Sequence, residues 1–131
     1  MEKPVIALTM GDAAGIGPEL VVKVLAQDAV YDRCSPLVIG DPQVMTEACR
    51  IVEARLRVHA IDRLAEARFS PPDIDVLCPQ DVRIDHIPRG TVDPAMGRAA
   101  ALFLQKAFEL AHDSHVHGVG CAPLNKEAFH A

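Results

Sequence analysis

The run Gly11-Asp12-Ala13-Ala14-Gly15-Ile16-Gly17-Pro18-Glu19 sets three glycines and two carboxylates between an apolar segment and a helical one. A strand that feeds such a loop and then a helix N-terminus turns several backbone N–H groups toward one point. Those donors and the helix dipole favour an anion such as phosphate or carboxylate. Glycine lets the backbone approach a ligand with no Cβ in the way. The plain alternative is a tight β–α turn that needs glycine for its own geometry, with Asp12 as a turn former. Two named templates are absent. The dinucleotide pattern G-x-G-x-x-G fails because Leu20 stands where the third glycine belongs, and the P-loop fails because Gly17 is followed by Pro18-Glu19 rather than Lys-Ser/Thr.

A second run, Cys121-Ala122-Pro123-Leu124-Asn125-Lys126-Glu127, follows a strand-like segment, where open α/β sheets place their ligand crevices. Lys126 can neutralise a phosphate or carboxylate and Asn125 can offer an amide; the alternative for Lys126 is a solvated lysine at a helix start. His112, His115 and His117 form a tract that invites a metal reading. They straddle a helix end and the next strand, however, and His112 is independently favourable at a helix C-terminus. Ser35, Ser70 and Ser114 all lie in connections, outside any nucleophile elbow.

The elements that must position these residues follow from periodicity and punctuation. Val5 to Met10 reads as a buried strand stopped by Gly11, and Leu20, Val21, Val24 and Leu25 follow helical spacing after Pro18. Pro36 to Gly40 reads as a second strand. Asp41-Pro42 is an N-cap with proline at the first helical position, opening a helix to about Arg55. Leu56 to Ile61 reads as a third strand and Ile74 to Cys78 as a fourth, with an extended connection over 79–90. Asp93-Pro94 opens the longest helix, to about His112, with Ala99, Leu102, Phe103, Phe108 and Leu110 on one apolar face. Val116 to Ala122 reads as a strand, and a helix begins at Asn125. This order predicts an α/β fold with a mostly parallel sheet.

Composition sets the bounds. The 131 residues suit one domain, half are hydrophobic and the formal net charge is −5. With no basic cluster and few aromatics, nucleic acid is not an expected partner. No apolar run approaches the length of a membrane span, and the N-terminus lacks a signal architecture, so a cytoplasmic location is the default expectation. Cys34, Cys49, Cys78 and Cys121 form no C-x-x-C pair and read as reduced, mostly buried thiols.

Two stretches together resemble one family. Ile6 to Glu19 is similar to the T-M-G-D-P-A-G-I-G-P-E opening of 4-hydroxythreonine-4-phosphate dehydrogenase and its relatives acting on phosphothreonate and phosphoerythronate, with Ala13 where proline is common. Ala122 to Ala128 is similar to their A-P-[IL]-N-K-E motif. Gly90, Gly97 and Arg98-Ala99-Ala100 resemble the long family helix between them. The resemblance implies a three-layer, isocitrate/isopropylmalate dehydrogenase-like fold, incomplete here, with residues 1–131 as the N-terminal portion of a two-domain enzyme. It also implies oxidation, with decarboxylation, of a phosphorylated hydroxy acid such as the vitamin B6 intermediate. NAD or NADP would accept the hydride, and a divalent metal (zinc, magnesium or cobalt) would be held by histidines outside this chain. A homodimer is implied as well. What carries over residue by residue is Gly11, Asp12, Gly15, Gly17, Asn125 and Lys126, expected to line or support the cleft rather than to transfer hydride. The chain alone is expected to be inactive and to leave a sheet edge and an apolar face uncovered. The competing reading is a non-catalytic anion-binding or structural α/β module.

Overall fold

The computed structural model describes residues 3–123 and 126–130. Its elements are β1 (Val5–Thr9), α1 (Gly17–Leu25), α2 (Asp28–Arg33), β2 (Ser35–Ile39), α3 (Pro42–Val52), β3 (Arg57–Ile61), a 3-10 turn (Leu64–Glu66), β4 (Asp73–Leu77), α4 (Pro94–His112), β5 (Gly118–Cys121) and α5 (Lys126–His130). The strands form one sheet in the order β3-β4-β2-β1-β5, and every pairing is parallel.

β2 lies inside the sheet, and Leu37, Val38 and Ile39 are fully buried. A parallel strand covered on both faces reads as a continuous apolar run rather than an alternating one. Burying each such side chain contributes roughly 1.5–3 kcal/mol before entropy is counted. Helices α1 and α3 pack together on one face, and α4 and α5 pack together on the other.

Local chemistry explains where the helices start. The Asp41 carboxylate accepts from Val44 N at 2.9 Å, and the Asp93 carboxylate accepts from Ala95 N at 2.8 Å; each precedes a proline. These side chains satisfy donors that the first helical turn leaves open. Helix α3 ends at Val52 because Glu53 turns left-handed, φ 58°, so it is shorter than the expected run to Arg55. Strands β3, β4 and β5 shift or shorten by one or two residues from their expected bounds.

One helix was not expected, and two expectations need correction. Helix α2 has only six residues and no apolar period of its own; Tyr31 anchors it, buried at 7% exposure. On α4 the buried stripe is Met96, Ala99, Ala100, Phe103, Ala107 and Leu110, whereas Phe108 points outward at 57% exposure. Residues 103, 107 and 110 share a helical face that 108 does not. The thiols are all free, but only Cys49 is buried; Cys34 and Cys78 are half-buried and Cys121 is exposed.

One polar group holds the β3–β4 crossover. Asp75 is buried on β4 and accepts from His59 Nδ1 at 2.8 Å, Phe69 N at 2.8 Å and Arg68 N at 3.1 Å. Those bonds satisfy a carboxylate that would otherwise be costly in the interior, and they stitch the connection to the sheet without a helix.

Candidate functional site

Strand β1 ends at Thr9, opposite Cys121 at the end of β5. From there β1 leads into α1 on one face, while β5 leads into α5 on the other. Two neighbouring parallel strands whose continuations diverge leave a crevice between their carboxyl ends, the position where open α/β sheets bind ligands. Both sequence runs flank this crevice.

The glycines bring the two loops together. Gly11 has φ +79°, and a Cβ there would sit 2.5 Å from the Pro123 carbonyl oxygen and 3.3 Å from Ala122 Cβ. Gly17 is buried against the same loop: a Cβ would overlap the Met10 carbonyl oxygen and lie 3.4 Å from the Pro123 oxygen. Gly11 therefore serves contact between the loops, whereas Gly17 serves the close approach of its own turn to the Met10 carbonyl. Gly15 differs: it is exposed, and nothing approaches its Cβ position closer than 3.6 Å, leaving the tip of the loop open.

Asp12 is buried at 2% exposure, and its Oδ1 accepts from Ala14 N at 2.8 Å, closing the turn. Its Oδ2 and the Thr9 hydroxyl are buried with no hydrogen-bond partner among the described residues. Asp12 thus supports the loop from inside. Helix α1 has no side-chain cap at Ile16, and its first internal bond is Leu20 N to Ile16 O at 3.1 Å. The N–H groups of Gly17 and Glu19 have no acceptor within the helix, so this end carries the partial positive charge that attracts anions.

Arg89, which has no distinguishing sequence signal, closes the loop from outside. Its guanidinium donates to the Glu19 carboxylate at 3.0 Å, and Gly90 N donates to Ala14 O at 2.9 Å. The extended connection expected over 79–90 is therefore a strap across the carboxyl ends of the strands, pinned by buried Ile84. An ion pair so distant in sequence leaves no local pattern.

At the second loop, Lys126 is the first residue of α5 and exposed; Asn125 lies outside the described residues. Helix α5 reaches its place because Gly97 on α4 has no side chain: a Cβ there would overlap the backbone of Ala128 and Phe129. The histidine tract does not converge. His112 ends α4, and His117 Nδ1 accepts from Val5 N at 2.9 Å, a structural bond at the foot of β1. Among the described residues no three histidine, cysteine or carboxylate side chains come together as a metal site would require.

The family model described as pyridoxal phosphate biosynthetic protein PdxA matches residues 32–131. The chain belongs to this family. It is 43% identical over 130 residues to the D-threonate 4-phosphate dehydrogenase of Cupriavidus necator, a match covering 98% of this chain and 38% of that protein. Its fold superposes with TM-score 0.94 on a 4-hydroxythreonine-4-phosphate dehydrogenase from Burkholderia phymatum, at 41% identity, covering 99% of this chain and 39% of that one. The corresponding enzyme of Klebsiella pneumoniae superposes with TM-score 0.82 at 36% identity, covering 98% and 39%. The chain thus spans about two fifths of the length of these family members. The parallel sheet between helical layers is the α/β fold expected from the sequence. Among the described residues no helix is long and apolar enough to cross a membrane.

Proposed function

We propose that this chain supplies one wall of the active-site cleft in a dehydrogenase that oxidises the secondary alcohol of a phosphorylated hydroxy acid. The observation that carries the reading is the meeting of the Gly11–Glu19 loop with Ala122 and Pro123 at the crevice between the carboxyl ends of β1 and β5, in a member of this family. The names of the relatives supply the substrate class: D-threonate 4-phosphate or 4-hydroxythreonine 4-phosphate.

In this reading the chain binds and orients. The open tip at Gly15 and the free N–H groups of the first turn of α1 favour a phosphate, either of the substrate or of the dinucleotide. Asp12 and the Arg89–Glu19 pair hold that loop in shape, and Lys126 adds a positive charge from the other loop. When bound, NAD or NADP supplies the hydride acceptor, which the protein must only place against the reacting carbon. The described residues offer no ligand set for a divalent metal. Its ligands would come from polypeptide outside this chain. The whole enzyme would act as a homodimer, and this chain alone would be inactive.

The test replaces the matching span of the Cupriavidus relative with this chain and follows NADH formation with NAD, divalent metal and each phosphorylated hydroxy acid. Turnover by the folded chimera supports the reading. A folded chimera that binds phosphate without turnover supports the anion-binding module instead.

A further inference from the structure

The strap turns a corner over Ile87–Thr91. Gly90 has φ +71°, Thr91 Oγ1 donates to Pro88 O at 2.6 Å, and Arg89 N donates to Ile87 O at 3.0 Å. Ile84 is buried behind the corner and Ile87 packs against the core, so the corner is anchored to the body of the fold. Two groups on adjacent residues reach from it to the glycine-rich loop. Gly90 N donates to Ala14 O at 2.9 Å, and the Arg89 guanidinium donates to the Glu19 carboxylate at 3.0 Å. The first contact lies before the exposed tip, Gly15-Ile16, and the second lies after it. Ala14 is held from the other side as well, because its N–H donates to the buried Asp12 carboxylate at 2.8 Å. Glu47 on α3 also feels the Arg89 charge, but its carboxylate is bound to Arg50 at 3.0 and 2.5 Å, which leaves Arg89 to Glu19.

We propose that Arg89 and Gly90 form a two-point brace across the tip of the glycine-rich loop and act as positioning residues for the phosphorylated ligand. One end of the tip is fixed by a backbone bond and the other by an ion pair. Both come from a single corner, so the span from Ala14 to Glu19 changes only if the strap moves or a contact breaks. The N–H groups of Ile16 and Gly17 lie within that span, and its width decides whether a phosphate meets them in line or at a poor angle. An ion pair as exposed as Arg89–Glu19 adds little to global stability. Its effect falls on the fraction of molecules whose tip has the binding shape, and apparent affinity scales with that fraction. The ligand in this inference rests on the proposed function; the brace itself does not.

The experiment has two arms. In the 131-residue chain, hydrogen exchange is followed at the Ala14, Gly15 and Gly90 amides, which are bonded within the loop or to it. Arg89→Gln should speed all three roughly two- to fivefold, and Arg89→Lys should restore them. Arg83→Gln, which breaks an exposed pair with Asp85 on the same strap, should leave them unchanged. Exchange in Arg89→Gln no faster than in Arg83→Gln would overturn the brace. In the chimera with the Cupriavidus relative, Arg89→Gln should raise KM roughly two- to fivefold. Gly90→Ala, strained at φ +71°, should raise it roughly tenfold, and kcat should stay within about twofold in both. The double variant should be no worse than Gly90→Ala, because a brace that has lost one end no longer fixes the span. Effects that multiply, an unmoved KM, or a fall in kcat at constant KM would overturn the positioning role. A rise in KM for NAD assigns the tip to the dinucleotide's phosphates, and a rise for the hydroxy acid assigns it to the substrate's; either supports the inference. A chimera with no turnover before any substitution counts against the proposed function instead, and the exchange rates then decide the brace alone.

Discussion

Replacing Gly11 with alanine should destabilise the chain through two separable effects. The backbone at Gly11 has φ +79°, a conformation that costs an L-residue roughly 1–2 kcal/mol. The new methyl would also lie 2.5 Å from the Pro123 carbonyl oxygen, a backbone atom that can move only if the β5–α5 loop moves with it. Overpacking of this kind costs about 1–3 kcal/mol. Together they come to about 3 kcal/mol, which for a domain of this size lowers the unfolding midpoint by roughly 10 °C. Gly15→Ala is the control. Gly15 is exposed, has no positive φ and has nothing within 3.6 Å of its Cβ position, so its stability should change by less than about 0.5 kcal/mol. Thermal unfolding followed by circular dichroism measures both, and a phosphate titration of the same samples adds the ligand readout. The proposed site expects Gly15→Ala to weaken phosphate binding without changing stability. If Gly11→Ala melts with the wild type, the two loops are not in the contact described, and the crevice built on that contact fails with it.

Two further predictions concern the frame around the crevice. Gly97→Ala should push α5 away from α4, lowering stability by about 1–3 kcal/mol and speeding limited proteolysis after residue 123; an unchanged digestion pattern would refute the close approach. Burial, with smaller contributions from the negative charges of Asp75, Cys34 and Asp28, pushes the Tyr31 phenol up to about 12. Below pH 10 the phenol is protonated in both folded and unfolded chains, so its contribution to stability is complete there. Between about pH 10 and 12 only the unfolded chain ionises, and that contribution is lost. Tyr31→Phe should remove this alkaline loss and, because the buried hydroxyl has no hydrogen-bond partner among the described residues, should leave neutral-pH stability unchanged or slightly higher. Denaturant unfolding across this pH range distinguishes the outcomes.

Much of the frame was legible in the sequence because its signals are local. Asp41-Pro42 and Asp93-Pro94 cap and start α3 and α4 as their residue types require, and the apolar runs at β1 and β2 are the strands of the sheet centre. Helix α2 was not legible because six residues cannot show a helical period; its place is set by burial of Tyr31. For the site, the sequence located both loops but left open whether their glycines served a ligand or a turn. The structure divides them: Gly11 serves contact between the loops, Gly17 admits the Met10 carbonyl of its own turn, and of the three Gly15 alone remains open. Arg89 could not be found from the sequence, because its partner Glu19 lies seventy positions away and their meeting depends on how the strap crosses the sheet. Phe108 was misplaced for a related reason: apolar character alone does not say on which side of a crowded helix a residue falls.

If this chain provides a working wall of a dehydrogenase cleft, it should do so when placed in a whole family member. The most direct measurement is NADH formation by the chimera in which this chain replaces the matching span of the Cupriavidus relative, compared with the unaltered relative and with the chain alone. Turnover of a phosphorylated hydroxy acid is expected from the chimera and none from the isolated chain. A chimera that folds and melts like its parent yet forms no NADH with any of these substrates would contradict it.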